Sequence, residues 1–128
     1  MIHINGEIHS SKNSRQVVRS GKKVRVIKSD ASKADEQLFA LQLATQQGEW
    51  ARMLKNACYE GTMLRICFEF RRSTHRRFDY INMAQGICDA LVKAGYIADD
   101  DADHLLPSFV PYYVDKDNPG CDLWIEQA

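Results

Sequence analysis

Residues 79–95, DYINMAQGICDALVKAG, form the most clearly delimited helix pattern in the chain. Apolar side chains recur at helical spacing, which predicts one buried stripe. The glycine at position 95 is well placed to end the helix, because glycine readily adopts the left-handed conformation that follows a helix C-terminus. The predicted stripe consists of Ile81, Ala84, Ile87, Cys88 and Leu91.

Residues 62–72, TMLRICFEFRR, precede this helix and alternate between two faces. Every second residue along the stretch is a large apolar one, namely Leu64, Ile66, Phe68 and Phe70, so these side chains share one face. A period of two is typical of a β-strand that buries one face. The stretch therefore predicts a strand that runs directly into the basic residues before the helix.

The flanking segments extend this pattern in both directions. Four further strands and one helix are predicted, in chain order at residues 2–8, 24–29, 31–57 (the helix, with Gly48 as a candidate interruption), 109–114 and 121–126. The order β-β-α-β-α-β-β predicts an α+β fold in which a mixed sheet packs with two main helices. A chain of 128 residues without a Pro/Gly/Ser-rich linker predicts a single domain over residues 1–128.

The composition of the chain bears on its cellular location. No apolar run approaches the length of a membrane-spanning helix, and the opening MIHINGEIHSSKNS lacks the charged-then-apolar order of a signal peptide. We therefore expect a cytoplasmic protein without a membrane partner. The cysteines lie far apart, so we expect buried free thiols rather than zinc ligands or disulfides. They are Cys58, Cys67, Cys88 and Cys121.

Charge is segregated along the chain although the formal net charge is zero. Residues 1–33 hold eight Lys/Arg against two acids, a net +6, whereas residues 78–128 hold ten Asp/Glu against two Lys, a net −8. Four arginines, at positions 71, 72, 76 and 77, lie directly before the acidic segment. This separation suits a protein that grips phosphates with one part and holds divalent cations with another, and a self-complementary dimer would also produce it.

The stretch GYIADDDADH, residues 95–104, places four aspartates within five positions. Crowded carboxylates hold some of their number at a raised pKa unless a cation is present. One interpretation is a polar loop whose side chains accept hydrogen bonds from nearby backbone amides. The other is a cation site, which His104 could join.

Residues 76–100, RRFDYINMAQGICDALVKAGYIADD, resemble the central motif of RusA-type Holliday junction resolvases. In that motif a basic stretch leads to D-x-D-N, a helix with a lysine, D-x-L-x-x-A-G and finally D-D. The opening GEIHSSKNSRQ is also similar to the N-terminal loop of the family. The matching positions are Asp79, Asn82, Asp89, Ala90, Leu91, Lys93, Ala94, Gly95, Asp99 and Asp100.

The resemblance implies a small homodimeric endonuclease that uses Mg²⁺, or Mn²⁺, to cut four-way DNA junctions in recombination and repair, usually associated with prophages. Asp79 matches the first catalytic acid of the family and Asp100 its last, and both are expected metal ligands. Asp99 is a further candidate catalytic residue. Ile81 stands where the family has its second aspartate, and Gln85 stands in place of the helix lysine.

These departures leave three hypotheses open. The first is an active nuclease, because Mg²⁺ can bind through one or two carboxylates together with water and phosphate. The second is a DNA-binding dimer with impaired catalysis, because isoleucine cannot ligate a metal and a neutral Gln85 stabilises less transition-state charge than lysine. The third is a dimeric interaction module that never contacts DNA.

Basic side chains around the acids are the candidate phosphate contacts, although each could also belong to a solvated surface. The candidate DNA-binding residues are Lys12, Arg15, Arg71, Arg72, Arg76, Arg77 and Gln85. A helix from about residue 80 to 94 is roughly 22 Å long, so Asp79 and Asp100 begin at its opposite ends. They can share a metal only if the chain folds back along the helix or if the acids meet across a dimer.

Overall fold

A computed structural model describes residues 1–9, 15–20, 23–28, 30–61 and 63–126, with side chains described in residues 1–9 and from residue 33 onward. Ten elements follow one another along these described residues. They are β1 (Ile2–Asn5), β2 (Arg15–Ser20), β3 (Lys23–Lys28), α1 (Asp30–Ala44), α2 (Gln47–Asn56), β4 (Leu64–Arg72), α3 (Tyr80–Lys93), β5 (Leu105–Phe109), β6 (Tyr113–Val114) and β7 (Gly120–Glu126).

A mixed five-stranded sheet forms the centre of the fold. The strand order is β1-β7-β4-β5, and the short β6 pairs with the end of β4. The pairings of β7 with β1 and with β4 are antiparallel, whereas β5 and β6 run parallel to β4. Strands β2 and β3 form a separate antiparallel hairpin. The predicted α+β class with a mixed sheet is confirmed.

The central strand β4 supplies much of the core. Leu64, Ile66, Phe68 and Phe70 are buried, as the alternation predicts. Cys67, on the opposite face of the strand, is buried as well. Burial on both faces is expected for a strand in the middle of a covered sheet. Strand β4 is therefore a fixed base for the loop that follows it.

Helix α3 packs on this core through most of its predicted stripe. Ile87 and Leu91 are fully buried, and Ala84 and Cys88 lie beside them. Ile81 is the exception, because 74% of it is exposed, and its predicted burial is wrong. At 3.6 residues per turn this side chain lies roughly 100° from the centre of the buried stripe. It therefore projects from the free face of the helix.

The predicted helix at 31–57 is two helices, so the described chain has three helices rather than two. The break falls at residues 45 and 46, ahead of Gly48, which lies in the first turn of α2. Thr45 and Gln46 each donate a backbone hydrogen bond three residues back, to Gln42 and Leu43, which tightens the end of α1. The chain can then turn so that Trp50 packs against Tyr96 in the core.

The strand predictions need three corrections. The strand predicted over residues 2–8 ends as β1 at Asn5, and the following Gly6 has a φ of 117°. The opening contains β2 as well as the predicted second strand, which corresponds to β3. The single strand predicted at 109–114 is instead β5, which starts at Leu105, and the short β6. Pro111 lies between them, and a proline cannot donate to the sheet ladder, so the pairing with β4 is interrupted there.

Both edges of the main sheet carry features that hinder the addition of a further strand. On β1, the side-chain amides of Gln42 and Gln46 each pair with one outward-facing backbone unit, His3 or Asn5, at 2.7–2.8 Å. Next to β5, Val110 N donates to Phe68 O. The backbone groups of the even-numbered residues of β5 therefore point towards β4, and those of Pro107 point away from the sheet. Proline has no N–H to offer another strand.

The cysteine prediction holds for three of four residues. All four thiols are free, and Cys67, Cys88 and Cys121 are buried, but Cys58 is exposed just after α2. Burial raises the pKa of Cys88 to about 12, so this thiol stays protonated. None of the described helices combines the length and the apolar character needed to span a lipid bilayer.

Candidate functional site at the two ends of helix α3

Asp79 lies at the N-terminus of α3, where the backbone is still extended. Its exposed carboxylate makes no side-chain cap to the helix, and its Oδ2 atom accepts a hydrogen bond from Asn82 Nδ2 at 3.2 Å. Together with Ile81 and Phe109 it lines a shallow open hollow. The carboxylate is therefore available to a ligand approaching the end of the helix.

A basic loop, residues 72–77, leads from β4 into this helix start. The Arg72 guanidinium lies 4.2 Å from the centroid of the Phe78 ring, and its Nη1 atom donates to the Arg76 backbone carbonyl at 3.4 Å. Arg76 and Arg77 are exposed. Two exposed cationic side chains thus precede Asp79 by three and two residues, on a loop whose base is packed.

Aromatic side chains anchor the basic loop. Phe78 makes edge contacts with Tyr80 and Tyr112, at centroid distances of 5.1 Å and 4.9 Å. Tyr112 also donates its backbone N–H to the Tyr80 hydroxyl oxygen at 3.0 Å. Because these rings also pack on Phe70 of β4, the loop and the start of α3 are held to the core.

Arg71 has a different role from the other arginines. Only 10% of its side chain is exposed, and it forms a 2.6 Å ion pair with the buried Asp122. It also donates to Asn5 Oδ1 at 3.0 Å and to the Asn118 carbonyl at 2.9 Å. This arginine is committed to the fold, so we leave it out of the DNA surface. Lys12 lies outside the described residues, and only the backbone of Arg15 is described, in β2.

A line of side chains at four-residue spacing runs along the free face of α3. Ile81 begins it, followed one turn later by Gln85 and one turn later again by Asp89. Gln85 Nε2 donates to Asp89 Oδ1 at 3.1 Å. The two positions that depart from the resolvase motif therefore lie on the path between the two ends of the helix.

An acidic turn, residues 99–104, follows the other end of α3. Asp100 donates its backbone N–H to Asp99 Oδ1 at 2.8 Å. The Nδ1 atom of His104 is hydrogen-bonded to Asp101 Oδ1. The backbone of the turn is fixed to the sheet, because Leu64 N donates to His104 O at 2.9 Å.

Three residues of this turn could hold a metal ion. One ligand atom from each of Asp99, Asp101 and His104 lies within 4.8 Å of the others. Two carboxylates and an imidazole suit Mn²⁺ better than Mg²⁺, which prefers oxygen ligands. This set differs from the predicted pair, because Asp79 is not part of it and Asp100 lies beside it rather than in it.

Electrostatics within the turn are set by short-range partners. The hydrogen bond from His104 lowers the pKa of Asp101, and the same bond raises the pKa of His104. Burial raises the pKa of Asp100, and the neighbouring Asp89 carboxylate adds to that effect. A cation bound beside Asp100 would relieve the repulsion between its carboxylate and that of Asp89.

The two sets of acids are far apart within one chain. The acidic turn is hydrogen-bonded to Leu64 at the start of β4, whereas the basic loop follows the end of this strand. At 3.3 Å per residue, the length of β4 between the turn and the loop is about 26 Å. The chain after Gly95 does return towards Cys88 and Asp89, which both interact with Asp100. Asp89 is nevertheless about 15 Å from Asp79 along the helix.

Sequence reasoning gave no role to Asp89 and left Asp101 and His104 open. The signal for the latter two was present, because residues at i and i+3 in a single helical turn face each other. The signal for Asp89 was its place in the resolvase-like motif, four residues after Gln85.

A scan against protein-family models finds no match for this chain, and neither does a search of curated proteins.

Proposed function

We propose that this chain is a RusA-like, metal-dependent endonuclease that acts as a homodimer on branched DNA, with four-way junctions as substrate. The main support is the arrangement at the start of α3, where the exposed Arg76 and Arg77 stand beside the exposed Asp79 on a packed loop. The same residues carry the sequence resemblance to the resolvases. Arginines bind phosphates and a carboxylate can ligate a metal, so both functions of a nuclease are available together.

The acids have distinct parts in this proposal. Asp79, and the turn that holds Asp99, Asp100 and Asp101, supply oxygen ligands for Mg²⁺ or Mn²⁺. When bound, the metal would activate water and neutralise charge on the phosphate under attack. Arg76 and Arg77 hold the DNA backbone and give affinity without sequence preference, which suits recognition of a branched shape.

A dimer would unite the two sets of acids. If two α3 helices pair antiparallel about a two-fold axis, Asp79 of one subunit approaches Asp100 of the other. The exposed Ile81 supports this pairing, because an apolar side chain on the free face of the helix gains by being covered. Each catalytic site would then need both subunits.

Mixed dimers test the composite site. Asp79→Asn and Asp100→Asn variants, each inactive alone, are combined by co-expression with two different tags. A composite site predicts recovered cleavage, because one of the two sites in a mixed dimer keeps both acids. No recovery in isolated mixed dimers would mean that each subunit cuts with its own acids.

A DNA-binding dimer with impaired catalysis is the second candidate function. Two observations favour it: hydrocarbon is exposed at Ile81 where the motif has a carboxylate, and the amide of Gln85 is engaged by Asp89. The double variant Ile81→Asp, Gln85→Lys restores the motif. A cleavage rate at least tenfold above that of the natural chain, with unchanged junction affinity, would establish this second function.

The primary experiment uses a labelled immobile four-way junction and a matched duplex, in Mg²⁺ and then in Mn²⁺. The nuclease proposal predicts paired nicks in the junction alone, lost in Asp79→Asn and retained in Glu60→Gln. Glu60 is a matched control, because it is an exposed acid near the opposite end of β4. Binding without cleavage in either metal would favour the second candidate, and no binding even at low salt would leave the interaction module.

A further inference from the structure

A groove between α1 and α3 encloses about 200 Å³. Its floor combines four small side chains with one aromatic ring, since Ala40, Ala44, Ala90 and Ala94 line it together with Phe39. An apolar cavity of about 150 Å³ is enough to hold benzene. The groove therefore has room for one aromatic ring with a short substituent.

Gly86 keeps this groove open from the middle of α3. Glycine inside a helix costs about 1 kcal/mol relative to alanine. The packing does not require it, because a Cβ atom at this position would lie 3.5 Å from Phe39 Cε2, an ordinary contact. An alanine would fit, stabilise the helix and narrow the groove. The glycine thus preserves space that the packing of the two helices does not need.

Carboxylates predominate among the charged groups that line the groove. Asp35 is buried and accepts a hydrogen bond from the His9 backbone N–H at 2.9 Å, with the His9 ring nitrogen at 3.0 Å. Lys93 Nζ lies 3.6 Å from Glu36, a weak pair because the lysine is 65% exposed. With Asp89, the described lining holds three carboxylates, and its basic side chains are Lys93 and the His9 imidazole that pairs with Asp35. It attracts cations and repels phosphates.

We propose that this groove binds a small apolar molecule that carries one cationic amine. The hydrocarbon part lies on the floor beneath Gly86, and the ammonium group pairs with Asp89. Phosphate-bearing ligands are disfavoured by the three carboxylates. This binding needs neither metal nor DNA, so it stands apart from the proposed nuclease activity.

Benzylamine, benzyl alcohol and benzoate are matched probes, because they share a ring and differ in charge. Each is titrated into the ¹⁵N-labelled full chain without metal, and backbone amide shifts are followed. We expect benzylamine to shift residues 39–44 and 86–94 with a Kd of about 1 mM, at least fivefold tighter than benzyl alcohol. Equal affinity for all three probes, or no shifts in these residues up to about 10 mM benzylamine, would overturn the proposal.

Two variants locate the binding. Gly86→Leu fills the groove and should abolish benzylamine binding, whereas Ala51→Leu adds the same side chain to an exposed position of α2 and should not. Asp89→Asn keeps the groove volume and should weaken benzylamine about threefold while leaving benzyl alcohol unchanged, so the assignment stays testable even if Gly86→Leu does not fold. Benzylamine affinity that is unchanged by Asp89→Asn, or retained in folded Gly86→Leu, would reject the site.

Discussion

The two ends of α3 carry opposite charge and are held in place in different ways. At the N-terminal end, aromatic packing around Phe78 fixes the basic loop and leaves the tips of Arg76 and Arg77 free. At the C-terminal end, backbone hydrogen bonds tie the acidic turn to the sheet through His104 and Leu64. A loop that is anchored by its aromatic side chains can present its charged side chains to a large partner. A turn whose backbone is fixed can instead hold ligand atoms at the short mutual distances that an ion needs.

The largest effect is expected from removing the acid at the basic end. Asp79→Asn keeps the size and the hydrogen-bonding capacity of the side chain but loses the charge that would ligate the metal of the proposed nuclease. We expect junction cleavage to fall at least a hundredfold while junction affinity changes less than threefold. Single-turnover cleavage and a gel-shift titration measure the two quantities. A parallel loss of binding would mean that this end of the helix is damaged rather than chemically disabled.

The two arginine environments predict different effects on stability and on the proposed DNA binding. Arg71→Met leaves the buried Asp122 without its guanidinium and should cost about 3 kcal/mol in the free energy of unfolding. Arg76→Met should leave stability within about 0.5 kcal/mol, because surface substitutions away from special features rarely exceed that value. Urea unfolding of both variants checks the comparison. Equal costs would contradict the distinction between a structural and a free arginine.

Arg76→Met and Arg77→Met should each weaken junction binding about tenfold at low salt and reduce the slope of log affinity against log salt by about one. The exposed Lys55 at the end of α2 provides a control, and Lys55→Met should leave the slope unchanged. Fluorescence anisotropy across a salt series measures this directly. A slope that is the same for all three variants would remove the basic loop from the DNA surface.

A metal-ligand substitution tests the acidic end. His104→Ala should weaken Mn²⁺ binding about tenfold, which isothermal calorimetry or electron paramagnetic resonance can measure. Asp117→Asn is the matched control, because this exposed acid lies near the opposite end of β4, beyond β6. Unchanged Mn²⁺ affinity in His104→Ala would exclude the imidazole from the site, and the carboxylates would remain as the candidate ligands.

The smallest effect concerns pH. Asp101 raises the pKa of His104 above its usual 6.5, and the imidazole must lose its proton before it can ligate a metal. Mn²⁺ affinity should therefore rise as the pH increases through the raised His104 pKa and level off above it. The same hydrogen bond stabilises the fold below the unfolded-state pKa and is lost as the pH rises through the folded one. A flat Mn²⁺ affinity between pH 6 and 8 would contradict the assignment.

Sequence periodicity was a good guide where a side chain has one dominant environment. The alternation in β4 predicted its buried face, and the helical spacing in α3 predicted most of its core. Ile81 was misassigned because an apolar residue at the margin of a stripe satisfies the same spacing whether a neighbour covers it or not. The roles of Arg71 and Asp122 could not be foreseen, since their pairing depends on strands that are 51 residues apart in sequence.

The candidate site was only partly predictable for the same reason. The motif pointed to Asp79 and to the acidic turn, and the length of α3 foretold that they begin at opposite ends. The fixing of the turn to β4 and the return of Asp100 towards Asp89 depend on tertiary hydrogen bonding and burial, which a local pattern does not carry. The break between α1 and α2 likewise depends on where Trp50 packs.

The features at the two edges of the main sheet limit how copies of this protein can associate through its strands. The amide side chains of Gln42 and Gln46 pair with the backbone of β1 as the peptide groups of a neighbouring strand would, and Pro107 has no N–H to donate on β5. Strand-by-strand growth into fibrils, and dimers that join two sheets into one, are therefore both disfavoured. Gln42→Ala with Gln46→Ala leaves the outward backbone groups of His3 and Asn5 without these partners and should increase aggregation on heating.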